Sequence, residues 1–244
     1  MSRRRNAARD VEGKRIACEL TERDTSAGRP SRIYVLAGTN GAGKSSIAGA
    51  MLRETGADYF DPDEAARRIR SADPRVTQAD ANSAAWHQGK RLLERAIAER
   101  LDFAFESTLG AATIPALLAS AVALGIEVRV WYVGLSSPEL HIARVRARVA
   151  RGGHDIPESD IRRRWETSRL NVIRLLPKLT ELRVYDNSAD ADPATGAAPV
   201  PVLLLHSRRG RIVAPRDLMS TPTWAKPLVA AAMRLDAETR RRRP

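Results

Sequence analysis

Residues 32–45 read Arg-Ile-Tyr-Val-Leu-Ala-Gly-Thr-Asn-Gly-Ala-Gly-Lys-Ser, an apolar run followed by a glycine-rich turn. Positions 38–45 fit the G-x4-G-K-[ST] pattern of a phosphate-binding loop, or P-loop. Glycines there let successive backbone N–H groups converge on phosphates, and the helix that follows adds its positive N-terminal end. The spacing predicts that Lys44 contacts the β- and γ-phosphates of a nucleoside triphosphate and that the Ser45 hydroxyl binds Mg²⁺. The predicted nucleotide contacts in this stretch are Gly38, Thr39, Asn40, Gly41, Ala42, Gly43, Lys44, Ser45 and Ser46.

Beyond this loop, strand patterns alternate with helix patterns, which is typical of a parallel sheet with helices on both faces. We therefore expect an α/β fold of the P-loop NTPase type, with an open parallel sheet and a small C-terminal hairpin and helix extension. Strands are predicted at 32–37, 58–60, 102–106, 127–134 and 182–185, and a hairpin over 202–213. Helices are predicted to begin near residue 63 and to span 77–101, 113–124, 138–151, 158–179 and 226–235.

The composition of the 244 residues, with 43% hydrophobic and 29% charged, is typical of a soluble globular protein and excludes wholesale disorder. The longest nearly apolar run, 114–126, is shorter than the ~20 residues that a membrane-spanning helix needs. One cysteine, Cys18, and the lack of an apolar segment after the basic N-terminus favour a reducing, cytoplasmic setting. The net charge is +12, and half of the excess lies in residues 1–30 and 234–244. We interpret these ends as loosely ordered, solvated tails that make at most weak, nonspecific contact with nucleic acid.

Other motifs narrow the class of P-loop protein. A GTPase needs a base-reading Asn-Lys-x-Asp, and the nearest string, residues 187–190, lacks the lysine. The Leu-Ser-Gly-Gly signature of ABC transporter ATPases is absent from the sequence, and no strand pattern ends in the acidic pair expected of a motor ATPase. A small-molecule kinase fits best, with a basic N-terminal arm at 1–30, a P-loop kinase domain at 31–190 and a C-terminal extension with a basic tail at 191–244.

Carboxylates follow two of the predicted strands, at the edge where ligands of open α/β sheets bind. After the second strand, Asp63 is placed to accept the proton of an attacking hydroxyl, while Asp61 is placed to cap a helix. A purely structural role for this Asp-Pro-Asp-Glu segment, as a helix start, is the alternative. After the third strand, Glu106 and Thr108 are candidate substrate contacts, and a simple turn is the alternative.

A basic helix face is predicted further along the chain. His141, Arg144, Arg148 and Arg151 are spaced by 3, 4 and 3 residues, and stacked like charges repel unless an anion lies between them. Followed by Gly152-Gly153, this segment is interpreted as a lid at about 141–160 that closes arginines onto the phosphates. A solvated basic face is the alternative.

Taken in order, these pieces resemble the zeta-toxin family of P-loop kinases, in particular the chromosomal branch often described as predicted ATPases. The resemblance covers roughly residues 31–188. It rests on Gly-Thr-Asn-Gly-Ala-Gly-Lys-Ser-Ser (38–46), Asp-Pro-Asp-Glu (61–64), Phe-Glu-Ser-Thr-Leu (105–109), the arginine-rich segment ending in Gly-Gly-His-Asp-Ile-Pro (144–157), Arg-Arg-Arg-Trp (162–165) and Tyr-Asp-Asn-Ser (185–188).

The resemblance implies transfer of a phosphate from ATP, with Mg²⁺, to the sugar 3-hydroxyl of a nucleotide sugar, with UDP-N-acetylglucosamine as the type substrate. It also implies a small helical antitoxin as partner. Carried onto this sequence, Asp63 is the general base and Lys44 the phosphate lysine. The remaining implied roles are substrate contacts for Glu106 and Thr108 and catalytic, phosphate-facing arginines at Arg144 and Arg151, while Arg148, on the predicted lid face, is a candidate nucleotide contact.

Two other functions stay open at this stage. The first is a P-loop kinase for another acceptor, such as a nucleoside, an antibiotic or a polynucleotide end, the last of which the net charge of +12 modestly favours. The second is a nucleotide-gated binding protein with little turnover.

Overall fold

The computed structural model describes residues 29–44, 47–49, 59–189, 200–215 and 217–242. The chain divides into two units, Met1–Pro30 and Ser31–Pro244. The predicted N-terminal arm, apart from Arg29 and Pro30, lies outside the described residues. So do Ser45, Ser46 and most of the predicted loop at 189–199.

Seven strands form one sheet in the order β2-β3-β1-β4-β5-β6-β7. The first five strands in the chain pair in parallel, and the last two join as an antiparallel edge. The strands are β1 (Arg32–Ala37), β2 (Tyr59–Phe60), β3 (Phe103–Ser107), β4 (Glu127–Gly134), β5 (Glu181–Asp186), β6 (Val202–Arg208) and β7 (Arg211–Ala214). The α/β fold with an open parallel sheet is therefore confirmed, and the predicted C-terminal hairpin extends the same sheet.

Six helices have defined bounds in the described part of the chain: α1 (Pro62–Ala72), α2 (Gln78–Ala98), α3 (Thr113–Ala123), α4 (Pro138–Val149), α5 (Glu158–Leu175) and α6 (Lys226–Arg241). Residues 47–49 are also helical, directly after the P-loop. None of the described helices combines the length and the apolar character required to cross a membrane.

Two predicted helix ends are corrected. The helix predicted over 158–179 ends at Leu175 and tightens into a 3₁₀ turn, Leu176–Lys178, because Pro177 has no N–H to continue the α-helical hydrogen bonds. The tail expected to be loosely ordered from residue 234 is helical through Arg241. An Arg240–Asp236 ion pair at i, i+4 spacing supports this last turn.

The alternation of β1 decides which side chains enter which half of the core. Ile33 and Val35 point into the larger half, where α2, α3, α5 and α6 contribute apolar side chains. Tyr34 and Leu36 point to the opposite half, which Ile47 of the helix after the P-loop enters. Since both faces are covered, the carboxyl ends of the strands form the accessible edge at which a ligand can bind.

Candidate active site

The P-loop begins where β1 ends, and two of its glycines are required by space as well as by conformation. Gly38 has φ +144°, and a Cβ there would lie 2.2 Å from the Val133 carbonyl oxygen. Gly41 has φ +82°, and a Cβ there would lie 2.6 Å from the carbonyl oxygen of His141. Any side chain would therefore push the loop away from β4 and α4.

Two buried side chains hold the carbonyls of this loop. The Nδ1–H of His141 donates to the Asn40 carbonyl at 2.9 Å, and the Asn187 amide donates to the Ala42 carbonyl at 2.9 Å. These bonds hold the loop in the glycine-dependent conformation with which this motif surrounds phosphates, and the Ala42 N–H donates to the Thr39 carbonyl at 3.0 Å within the loop. The conformation therefore fits the triphosphate that the motif predicts. The Lys44 ammonium donates to the Gly38 carbonyl at 3.1 Å and thus lies across the same loop.

His141 therefore supports the P-loop, whereas the sequence placed it on the basic face of the predicted lid. Burial lowers the pKa of His141 to about 4, and the nearby charges of Lys44 and Arg144 act in the same direction. The imidazole is neutral at pH 7.

This pKa predicts an acid-sensitive stability. Because the pKa of His141 is about 4 in the folded chain and near 6.5 when unfolded, the unfolded state binds the extra proton between these values. The free energy of unfolding should therefore fall by about 2 kcal/mol from this residue alone between pH 7.5 and pH 5. Urea unfolding at both pH values measures it. His141→Asn keeps a donor for Asn40 without titrating, so its loss should be smaller by that amount, and equal losses would contradict the assignment.

A cavity of about 400 Å³ opens beside the P-loop, beyond the carboxyl ends of β1, β2 and β3. Five residues predicted from the sequence line it together: Asn40, Lys44, Asp63, Glu106 and Thr108. They come from three separate segments of the chain. Sequence reasoning thus selected residues that the fold brings to one wall.

The sequence left two roles open for this segment, a helix cap and a general base, and the structure places Asp61 at the cap and Asp63 at the cavity. The Asp61 side chain accepts a hydrogen bond from the Asp63 N–H at 2.8 Å and caps α1, with Pro62 at the first helical position. The carboxylate of Asp63 is thereby left to face the cavity. It lies 3.5 Å from a guanidinium nitrogen of Arg148 and 3.8 Å from Nε2 of His154.

Glu106, at the end of β3, is a partly buried carboxylate of this cavity wall. Burial raises the pKa of Glu106, and the charges of Asp61 and Asp63 raise it further, while Lys44 and the Tyr59 hydroxyl lower it. A carboxyl group in this setting can accept or donate a hydrogen bond to a substrate hydroxyl. Thr108 also makes the alternative turn, because its hydroxyl accepts from the Gly110 N–H at 3.3 Å.

The predicted arginines occupy different surroundings. Arg148 contacts Asp63 and the carbonyl of His154. Arg144 donates to the Ala189 carbonyl at 2.8 Å, and Arg151 is exposed and folds back on the Ala147 carbonyl at 3.2 Å. Neither Arg144 nor Arg151 lines the cavity. Their catalytic roles remain predictions.

An arginine that the sequence did not single out does reach the site. Arg164 of α5 lines the cavity and donates to the Asn40 side chain of the P-loop at 2.9 Å. Its other terminal nitrogen contacts Asp160 at 3.1 Å, which fixes the fork of the guanidinium. Gly110 leaves room for it, since a Cβ there would lie 2.8 Å from the Arg164 side chain.

The metal assignment rests on the motif, because Ser45 lies outside the described residues. Within the described ranges, no group of three or more His, Cys, Asp or Glu side chains is arranged to hold a metal ion by itself. A P-loop protein does not need one, since Mg²⁺ there is held largely by substrate phosphates and water.

Comparison with known proteins agrees with this geometry. The family model described as zeta toxin matches residues 18–191. This chain belongs to the zeta toxin family. The zeta toxin resemblance, the α/β fold and the predicted phosphotransferase class are thereby confirmed, and the chain is an ATP-dependent P-loop kinase.

One curated relative is an uncharacterized protein of Haemophilus influenzae. It is 33% identical over 128 residues, which cover 52% of this zeta toxin family member and 88% of the relative. It supports the sequence relationship and gives no activity.

Two solved structures share the fold. The first is AvrRxo1-ORF1:-ORF2 with ATP, with a TM-score of 0.60 and 14% identity, covering 85% of this chain and 65% of that chain. The second belongs to the PezAT chromosomal toxin–antitoxin system of Streptococcus pneumoniae, with a TM-score of 0.52 and 15% identity, covering 92% and 93%. At such identities the likeness concerns the fold alone.

Proposed function

We propose that this zeta toxin family member transfers the γ-phosphate of ATP to a hydroxyl of a nucleotide sugar, with UDP-N-acetylglucosamine as the leading substrate. One observation carries the proposal: the P-loop lysine Lys44 and the carboxylates of Asp63 and Glu106 line a single cavity that can hold a second substrate.

In this mechanism Asp63 accepts the proton of the acceptor hydroxyl. The hydroxyl oxygen attacks the γ-phosphorus, and ADP leaves. Lys44 and Arg164 neutralise charge on the transferring group, and Glu106 and Thr108 hold neighbouring hydroxyls of the acceptor. Mg²⁺, assigned by the motif to Ser45, would neutralise oxygens of the β- and γ-phosphates when bound.

The charge of the cavity favours a sugar over a polynucleotide end. Its lining includes five carboxylates and the cations Lys44, Lys90 and Arg164. Carboxylates are hydrogen-bond acceptors suited to the hydroxyl groups of a sugar, and they repel the many phosphates of a polynucleotide more strongly than the single diphosphate of a nucleotide sugar. The five carboxylates are those of Asp61, Asp63, Glu106, Asp155 and Asp160.

An acceptor panel tests the proposal. Labelled ATP is incubated with the protein and, separately, with UDP-N-acetylglucosamine, a nucleoside, an aminoglycoside and a 5′-hydroxyl oligonucleotide. We expect label on the nucleotide sugar. Lys44→Ala should lower the rate of labelling by a factor of about 10² to 10³, because one charge-stabilising group is lost. Label on the oligonucleotide alone would refute the nucleotide-sugar proposal, and ATP binding without transfer to any acceptor would favour a nucleotide-gated binding protein.

We also propose a small antitoxin partner, on the ground of family membership and of the toxin–antitoxin system with which this chain shares its fold. Co-purification with the product of a neighbouring small gene, when both are expressed together, tests it. A partner that binds without lowering kinase activity would contradict an antitoxin role.

A further inference from the structure

Trp86 is the exposed member of the four tryptophans. Its exposed fraction is 40%, whereas those of the buried Trp131 and Trp224 are 4% and 3%. Trp86 also lines the 400 Å³ cavity beside the P-loop. The indole and the His87 ring form an edge-to-face pair at a centroid distance of 4.9 Å and an interplanar angle of 80°, which restricts the orientation of the indole. A large aromatic surface is thus held open to the space that a second substrate would enter.

The neighbours of Trp86 on the same helix face are polar. Asn82 and Ser83 lie one turn before it and also line the cavity. The Asn82 oxygen accepts a hydrogen bond from the side-chain amide of Gln78 at 2.8 Å, which orients the Asn82 amide. Its two N–H donors and its second lone pair remain available to a ligand.

Gly89 fixes how close this helix face lies to the reaction centre. A Cβ at Gly89 would lie 2.6 Å from the Phe60 ring, so only glycine lets α2 contact the end of β2. Gly89, Phe60 and Asp63 line the same cavity. Because an α-helix rises 1.5 Å per residue, Trp86 lies about 4.5 Å and Asn82 about 10 Å further along the helix axis than this contact.

We propose that this face of α2, formed by Asn82, Ser83 and Trp86, binds the nucleobase of the acceptor nucleotide. The inference rests on the proposed function and names the residues that would select its substrate. The base stacks on the exposed indole, and the Asn82 amide, with both a donor and an acceptor, pairs with the edge of the base.

The position along the helix favours the base over the sugar as the ligand of Trp86. The reacting hydroxyl must lie within hydrogen-bonding distance of Asp63, which closely follows Phe60 in the chain, and the sugar that carries it is held there. The part of the acceptor remote from the sugar then extends along α2 beyond Gly89. In a nucleotide sugar, that remote part is the base.

Kinetics with a whole and a truncated acceptor test this assignment. UDP-N-acetylglucosamine carries the base, and N-acetylglucosamine 1-phosphate lacks it. Stacking of one base is worth about 1–3 kcal/mol, so Trp86→Ala should raise KM for the whole acceptor by about 5- to 150-fold. The kcat should change little, and KM for the truncated acceptor should stay the same. Trp86→Phe should retain most of the affinity, and Asn82→Ala should raise KM for the whole acceptor alone.

The control variant is Leu124→Ala, which removes an exposed apolar side chain that does not line the cavity. An unchanged KM for the whole acceptor in Trp86→Ala, or an equal rise for both acceptors, would overturn the proposal. If the wild type phosphorylates neither acceptor, the proposed function fails instead. Binding of UDP alone then still tests the helix face, through quenching of tryptophan fluorescence that is present in the wild type and lost in Trp86→Phe; absence of this quenching would overturn the proposal too.

Discussion

Asp63→Asn should lower kcat for phosphoryl transfer by about 10² to 10⁴, the range in which a positioned general base contributes to catalysis. The amide keeps the size of the side chain but cannot take the proton from the acceptor hydroxyl. ATP affinity should change little, because the carboxylate of Asp63 contacts Arg148 and His154 rather than the P-loop. Single-turnover transfer from labelled ATP, together with a direct titration of ATP, measures the two quantities separately.

A matched control lies one residue away. Glu64 is also an acid in the first turn of α1, but it pairs with Arg67 and Arg68 and does not line the cavity. Glu64→Gln removes the same charge from the same helix end and should leave kcat within a few fold. Full activity of Asp63→Asn, or an equal loss in both variants, would remove the general base from the mechanism.

The sequence predicted most of the fold because its signals are local. The P-loop pattern, the apolar run of β1 and the start of α1 at Asp61-Pro62 each follow from neighbouring residues. Asp63, Glu106 and Thr108 were found by the rule that ligands bind beyond the carboxyl ends of parallel strands. That rule needs only the order of strands and helices along the chain, and this order was predicted correctly.

The arginines of the lid show what local spacing does not determine. Arg151 lies two residues beyond the end of α4 at Val149, and ten residues separate it from His141, which corresponds to about 15 Å at the rise of an α-helix. That distance exceeds the reach of one phosphate site. His141 therefore contacts the P-loop, whereas Arg151 is exposed, beyond the C-terminal end of α4 in the predicted lid.

A signal for Arg164 was present in the sequence. It lies three residues after Ile161 and four before Ser168, both of which are buried in α5, and residues at these spacings share a helix face. In the structure the Ser168 hydroxyl donates to the Thr108 carbonyl at 2.5 Å, so this face packs on the segment that follows β3. Residues 162–164 are all arginines, and only the position on the helix face distinguishes Arg164 from the other two.

Arg164→Ala gives the second large expected effect, a fall in kcat of about 10³ or more, as for other arginines that stabilise charge in phosphoryl transfer. The guanidinium bridges the Asn40 side chain of the P-loop and Asp160 on the cavity wall, so its loss removes both a positive charge and the positioning of the loop. Arg164→Lys should retain only a small part of the wild-type kcat, because an ammonium cannot hold the two partners in the geometry of a guanidinium fork. Transfer rates with labelled ATP at saturating acceptor measure the effect.

Arg163 is the matched control, since it also pairs with Asp160, at 2.7 Å, but does not line the cavity. Arg163→Ala loses the same charge from the same helix and should retain nearly full activity. Arg151→Ala belongs in the same series, because the sequence assigns the catalytic charge to Arg151. A large loss there with an intact Arg164→Ala would mean that α4 moves Arg151 onto the phosphates during the reaction, and that Arg164 of α5 does not stabilise the transferring group.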